Sequence, residues 1–224
     1  MMPLTIAIDG PVGAGKSTIS DEVARRLGIL HLDTGAMYRA VGLCALEEKI
    51  DPQDAEKVSA LLTEGRAQVD VRYEGGAQIT LLNGRDVTGL IRSQEVGQAA
   101  STVSRYPAVR KMLVRRQQEL AQTQPMLLDG RDIGTVVLKD ATVKIYLTAS
   151  AEARAKRRML QLREKGDDTP FETVLQEVNA RDYQDMHRAV DPLRRAEDAV
   201  LVDSSELSFD QTVSAILSLV EAKK

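Results

Sequence analysis

A chain of 224 residues, 43% of them hydrophobic, is long enough for one sizeable core and an inserted subdomain, and its net charge of −3 does not suit a surface built for duplex nucleic acid. Its single cysteine, Cys44, excludes an internal disulfide and points to a reducing compartment, with a small core residue expected there rather than a nucleophile. No apolar run approaches membrane length, and Asp9 interrupts the apolar start before a secretory signal pattern forms, so a cytoplasmic protein without membrane or nucleic-acid partners is expected.

Leu4 to Asp9 is a short apolar run ending in an acid, and reads as the first strand. Gly10-Pro11-Val12-Gly13-Ala14-Gly15-Lys16-Ser17 follows it and fits G-x-x-x-x-G-K-[ST], the phosphate-binding loop pattern. Ser17 to Leu27 has the apolar spacing of a helix, and Gly28 is a natural stop. Strand, Gly-rich turn and helix are the context the pattern requires. The glycines let successive N–H groups point inward at phosphate oxygens, and the helix N-terminus adds partial positive charge. Lys16 brings a full charge to the β- and γ-phosphates, and the Ser17 hydroxyl is placed to ligate Mg²⁺. The expected ATP-binding set is Gly10, Gly13, Ala14, Gly15, Lys16, Ser17 and Thr18.

Ile29 to Leu32 reads as a second strand ending at Asp33, and Thr34 to Arg39 opens a helix running to about Glu48. Asp51-Pro52 reads as a cap and first-turn proline for a helix to about Glu64. Val69 to Tyr73 alternates, Gly75-Gly76 turns, Gln78 to Leu82 is β-like, and Asn83-Gly84 is a further hairpin signal. The pattern predicts a small antiparallel sheet inserted in an otherwise alternating chain. Ser93 to Ser104 and Pro107 to Gln122 read as helices. Strands follow at Met126 to Asp129, Val143 to Leu147 and Ala199 to Asp203. Ser150 to Lys165 and Thr169 to Arg188 read as helices, the second opened by a Thr169-Pro170-Phe171-Glu172 capping box. Ser208 to Gln211 caps a last helix to about Glu221. Strands alternating with helices predict a parallel sheet covered on both faces.

Three constellations bear on what receives the phosphate. Asp129-Gly130-Arg131-Asp132 follows directly on a buried-looking strand, at the end where ligands of open α/β sheets bind. Arg154, Arg157 and Arg158 are spaced i, i+3, i+4, which reads either as a solvated basic face or as a lid over phosphates. Arg181, Asp185 and Arg188 are spaced i, i+4, i+7 on one helical face, a surface salt-bridge ladder on spacing alone. His31 and His187 carry no partner pattern. Asp86-Val87-Thr88-Gly89 spells D-x-x-G, and Asn179 to Asp182 half resembles N-K-x-D, but both stand outside the context a GTP switch requires.

Together these pieces resemble the bacterial cytidylate kinases, a branch of the nucleoside monophosphate kinases. The resemblance spans nearly the whole chain. It rests on Ile8 to Ser17, Leu32 to Arg39, Ile91 to Val96, Ala99 to Ser101, Asp129 to Thr135, Arg157 to Met159, Arg181 to Ala189 and Asp203-Ser204. It implies a P-loop NTPase-type three-layer α/β/α fold: a five-stranded parallel sheet, an inserted small antiparallel sheet and a helical lid. The chain would form one kinase unit over 1–224, with the core sheet from 3–34, 125–149 and 198–224. The monophosphate-binding region would cover about 35–105 and the lid about 150–188. The implied activity is ATP-dependent phosphorylation of CMP and dCMP by a monomer, with Mg²⁺ at Ser17 supported by Asp33 or Asp129, directly or through water. Lys16, Arg131, Arg157 and Arg158 would be catalytic, and Arg154 and Arg157 would join the ATP site. Thr34, Tyr38, Arg39, Ser101, Arg110, Arg131, Asp132, Arg181, Asp185 and Arg188 would bind the acceptor, with Ser101, Arg110 and Asp132 reading the cytosine. Two departures from the family pattern, Asp191 before Pro192-Leu193 and Asp203-Ser204-Ser205, are expected to touch no site position.

Overall fold

The computed structural model describes residues 3–164 and 166–223; Lys165, where the first lid helix is expected to end, and the extreme positions of the expected 1–224 unit lie outside the described residues. The elements run β1 (Thr5–Asp9), α1 (Lys16–Leu27), β2 (Leu30–Asp33), α2 (Thr34–Glu47), α3 (Ala55–Thr63), β3 (Val69–Glu74), β4 (Ala77–Leu82) and β5 (Arg85–Asp86). They continue with α4 (Gln94–Val103), α5 (Pro107–Ala121), β6 (Met126–Gly130), β7 (Val143–Thr148), α6 (Ala151–Arg163), α7 (Phe171–His187), β8 (Val200–Asp203) and α8 (Phe209–Glu221). The main sheet has five strands in the order β2-β6-β1-β7-β8, with β1–β7 and β7–β8 paired in parallel. Ile6, Ala7 and Ile8 of β1 are fully buried, as expected of a central strand covered on both faces.

The chain divides into two compact units. The loop unit combines Leu4–Ile29 with the chain from Leu127 onward. Its core joins Ile6 and Ile8 of β1, Ile19 and Val23 of α1, Ile145 and Leu147 of β7, and Val213, Ile216 and Val220 of α8. Full burial of an aliphatic side chain contributes roughly 1.5–3 kcal/mol, so the three α8 residues alone bind that helix firmly. The expected cap of α8 forms as a reciprocal box: the Gln211 backbone N–H donates to Ser208 Oγ at 3.2 Å, and the Ser208 N–H to Gln211 Oε1 at 2.8 Å. A second cluster, Ala155, Leu162, Val174 and Val178, packs α6 against α7 and takes in Val12 of the phosphate loop.

The hairpin unit is formed mainly by Leu30–Met126. It contains the expected antiparallel sheet, β3-β4-β5, turning at Gly75-Gly76 and Asn83-Gly84. The D-x-x-G stretch lies here: Asp86 is in β5, and its Oδ1 closes a turn by accepting from the Thr88 N–H at 2.9 Å. Helices α2 and α4 pack closely, because a Cβ on Gly42 would stand 2.9 Å from the Ala100 nitrogen.

Two capping expectations are corrected. Asp51 does not cap α3: its Oδ1 accepts from the Gln53 N–H in a turn, and Asp54 is the cap, accepting from the Lys57 N–H at 3.0 Å. The Thr169 capping box does not form either. Pro170 itself occupies the cap position of α7 in extended conformation, and Thr169 bonds back to Asp167 Oδ1. A 3₁₀ turn at Leu90–Arg92 and a π-helical turn at Ile133–Val137 have no counterpart in the sequence reading.

Candidate active site

Within the loop unit, the phosphate loop bridges β1 and α1. Position 10 must be glycine, since an added Cβ would stand 1.9 Å from the Leu147 carbonyl oxygen. Gly15 caps α1 in the left-handed region at φ 84, where a side chain is strained. Lys16 is 6% exposed, and its Nζ donates to the carbonyls of Gly10 and Pro11 at 2.8 Å each. Burial, joined by the nearby Arg131 charge, pushes its pKa down to about 7 against the pull of Asp129, Asp185 and Asp9. The negative charge of a bound phosphate favours the protonated lysine. Ser17 Oγ donates to Asp129 Oδ2 at 3.0 Å, so a hydroxyl and a carboxylate converge at the N-terminal end of α1. Two hard oxygen donors suit Mg²⁺, which takes one or two protein oxygens beside water and phosphate.

The turn after β6 supplies the next groups. Arg131 Nε donates to Asp185 Oδ2 at 2.7 Å. Burial opposes charge on both partners, but each holds the other ionised: Arg131 stays above its ordinary range and Asp185 below. The Arg181 charge also acts on Asp185. Arg188 donates to Asp132 Oδ1 at 3.0 Å and from Nε to the Asp191 carbonyl at 2.7 Å. The expected single helical face of Arg181, Asp185 and Arg188 is therefore corrected. Arg188 terminates α7 in extended conformation and leaves the helix axis, which is how it reaches Asp132.

Arg154, Arg157 and Arg158 do not form a solvated face. Arg154 is 5% exposed and donates to the Ala149 carbonyl at 2.8 Å and the Val12 carbonyl at 2.9 Å, and pairs with Asp182 at 2.6 Å. Arg157 donates to Ser204 Oγ at 3.3 Å and to the Ser204 carbonyl at 2.5 Å. Arg158 is partly buried, with its charge acting on Asp167. A cavity of about 210 Å³ beside the loop is lined by Ala14, Gly15, Thr18, Arg157, Leu207 and Phe209, among others. The expectation that the two family departures touch no site position is overturned. Ser204 holds Arg157, and the Asp191 carbonyl holds Arg188.

The remaining expected residues belong to the hairpin unit. Asp33 caps α2, accepting from the Ala36 N–H at 3.0 Å, and pairs with Arg92 at 3.3 Å. Thr34 is buried at the first position of α2. Arg39 donates to the Ile91 carbonyl at 3.0 Å and lies against Gly97 of α4, one turn before Ser101. Arg110 of α5 is buried, with its guanidinium 5.8 Å from the centre of the Tyr38 ring. The structure thus brings Tyr38, Arg39 and Arg110 onto neighbouring helix faces of this unit.

Three side chains that contact the candidate site residues or the turn after β6 were given no role by the sequence. Asp9 accepts from the consecutive backbone N–H groups of Ile133 and Gly134 at 2.7 Å each, fixing the start of the π turn. Asp182 pairs with Arg154, and Ser204 with Arg157. Asp9 ends β1 and Ser204 directly follows β8, and position at the ends of strands was a signal available for both.

Comparison with known proteins supplies the family. The model of the family described as cytidylate kinase matches residues 6–222. A protein named cytidylate kinase from Caldicellulosiruptor bescii is 49% identical over 219 residues, covering 98% of this chain and 96% of its own. One of the same name from Desulforamulus reducens is 48% identical over 219 residues, covering 98% and 97%. A solved structure of an uncharacterized protein from Eubacterium ventriosum shares the fold, with TM-score 0.53 at 10% identity, covering 98% of this chain and 99% of that one.

Proposed function

The chain belongs to the cytidylate kinase family, and on that premise we propose how its residues transfer the γ-phosphoryl group of ATP to CMP and dCMP, giving ADP and the diphosphates. The observation that carries the reading is the convergence in one unit of Lys16, the Ser17–Asp129 pair, the Arg131–Asp185 pair and the Asp132–Arg188 pair. The acceptor is already a phosphate anion near neutral pH, so no strong general base is required. Catalysis is positioning and charge neutralisation.

Lys16 swings from the loop carbonyls to the β- and γ-phosphates, whose oxygens replace its two present acceptors. The loop N–H groups from Gly13 to Thr18 cradle the donor phosphates. Ser17 and Asp129 would hold Mg²⁺, which would supply charge neutralisation for the donor phosphates. Arg131, with Arg158, stabilises the transferring group, each guanidinium staying charged throughout, whereas Arg157, held at Ser204, serves the donor's base. The cavity beside Gly15 takes the base of ATP between the apolar surfaces of Leu207 and Phe209 and the guanidinium of Arg157. Arg181, Asp185 and Arg188 hold the acceptor's phosphate and sugar, a role also proposed for Thr34, Tyr38 and Arg39. Asp132, Ser101 and Arg110 read the cytosine. A carboxylate accepts from the exocyclic amino group of cytosine and repels the oxygen that uracil carries at that place.

The test measures ADP release with a panel of monophosphates for the wild type and Asp132→Ala. The wild type should prefer CMP and dCMP over UMP and leave AMP and GMP unused. Asp132→Ala should narrow the CMP/UMP ratio of kcat/KM by about 1–3 kcal/mol. Preferred turnover of a purine monophosphate would refute the assigned specificity. An unchanged ratio would remove Asp132 from base reading.

A further inference from the structure

We propose that Ser204 is a positioning residue for the donor nucleotide: it fixes the guanidinium of Arg157 at the wall of the base cavity. Ser204 directly follows β8 and is 3% exposed. Its backbone N–H and its hydroxyl both donate to the Thr148 carbonyl at the end of β7, at 2.8 and 3.0 Å. The position is thereby fastened to the central sheet. From that fixed point it presents two acceptors to one side chain. Arg157 NH1 reaches Ser204 Oγ at 3.3 Å, and Arg157 NH2 reaches the Ser204 carbonyl at 2.5 Å.

Two bonds from two different nitrogens define the guanidinium plane as well as its location. A single bond would leave the group free to rotate about one axis. Arginine carries several rotatable bonds, and ordering it at the moment of binding would cost affinity. Here that ordering precedes the ligand. Arg157 and Ser204 both line the same cavity as Gly15, Leu207 and Phe209, so the orientation set at Ser204 is the orientation the base meets. A planar cation held edge-on by protein acceptors keeps its face available for stacking on a π system.

The proposal rests on the reading of this cavity as the site of the ATP base, and its test separates the two. Steady-state KM values for ATP and for CMP, with kcat, are measured for Ser204→Ala, Ser204→Thr, Arg157→Ala and the Ser204→Ala/Arg157→Ala double variant. Ser204→Ala keeps the backbone bond to Thr148 and the carbonyl acceptor, so the fold should survive. Urea unfolding midpoints verify that it does. Losing one hydrogen bond to a charged group should raise KM for ATP about fivefold to tenfold, leaving KM for CMP and kcat within about twofold. Ser204→Thr retains the hydroxyl and should restore the wild-type KM. In the Arg157→Ala background, Ser204→Ala should add nothing.

An equal rise in both KM values, a failure of threonine to rescue, or additive effects in the double variant would each overturn the role of Ser204. If Arg157→Ala raises KM for ATP but Ser204→Ala does not, the positioning role alone is refuted. If Arg157→Ala leaves KM for ATP unchanged, the reading of the cavity falls and the proposal falls with it.

Discussion

Asp9 shows how a single side chain can order a turn beside a candidate site without lining it. Its carboxyl is buried, and desolvation raises its pKa to about 6 despite the two backbone N–H bonds from Ile133 and Gly134 that favour the anion. The unfolded carboxyl releases its proton near 3.8, so between that value and about 6 the native state binds more protons. This group's contribution to stability is full below the lower value and is lost as pH rises through the upper one. Asp9→Asn removes that dependence. The slope of unfolding free energy against pH should differ between the two proteins by up to about 1.4 kcal/mol per pH unit inside the window. Urea unfolding at a series of pH values gives the slopes. Parallel slopes would mean that the two N–H bonds offset burial and leave the native carboxyl at its unfolded pKa. Nothing in Ile8-Asp9-Gly10 discloses this partner, because Ile133 and Gly134 are brought to it only by folding. The phosphate loop itself was legible because its glycines and Lys16 act within the loop, although Val12 and Ser17 bond to Arg154 and Asp129 far along the chain.

The helices α6 and α7 are where local spacing misled. Three arginines at i, i+3, i+4 share a helical face, yet their fates differ according to what each meets. Arg154 meets Val12, Ala149 and Asp182, and Arg157 meets Ser204. The strand–helix alternation and most helix ends were readable because Gly28, Ser93, Pro107 and Ser208 act on their immediate neighbours. The start of α7 was not, because two adjacent residues, Thr169 and Pro170, compete for one cap position. The Arg154 environment also decides between two roles for that residue. Arg154→Ala would leave Asp182 with its partner gone in a largely buried place, and removing one member of such a pair costs about 3–5 kcal/mol. A loss of that size in unfolding free energy is expected, and it marks Arg154 as the fastening between α6, α7 and the phosphate loop. A small loss accompanied by a large rise in KM for ATP would return Arg154 to direct contact with the nucleotide.

At the scale of the molecule, the two ends of the chain share one core. Ile6 and Ile8 near the start pack in the same cluster as Val213, Ile216 and Val220 near the end, whereas the hairpin unit is drawn mainly from one continuous stretch. The loop unit is therefore closed only when the last helix docks. Native-state hydrogen exchange should show amides of β1 and α8 opening together at the same high free energy. An α8 that opens far more readily than β1 would show that the first strands and helices hold without it. The alternation of strands and helices foretold the sheet, but not which distant segments would share a core, because hydrophobic periodicity fixes a face and not its partner.

The one thiol of the chain lies in the other unit. Cys44 is 3% exposed, its Sγ donates to the Arg66 carbonyl at 3.4 Å, and burial pushes its pKa up. Alkylating reagents need the thiolate in open solution. With no second cysteine to compete, every adduct on the native protein records a transient breach of the hairpin unit. The chain thus carries its own single-channel clock for that unit, readable as a mass increment against time without a label, a mutation or a ligand.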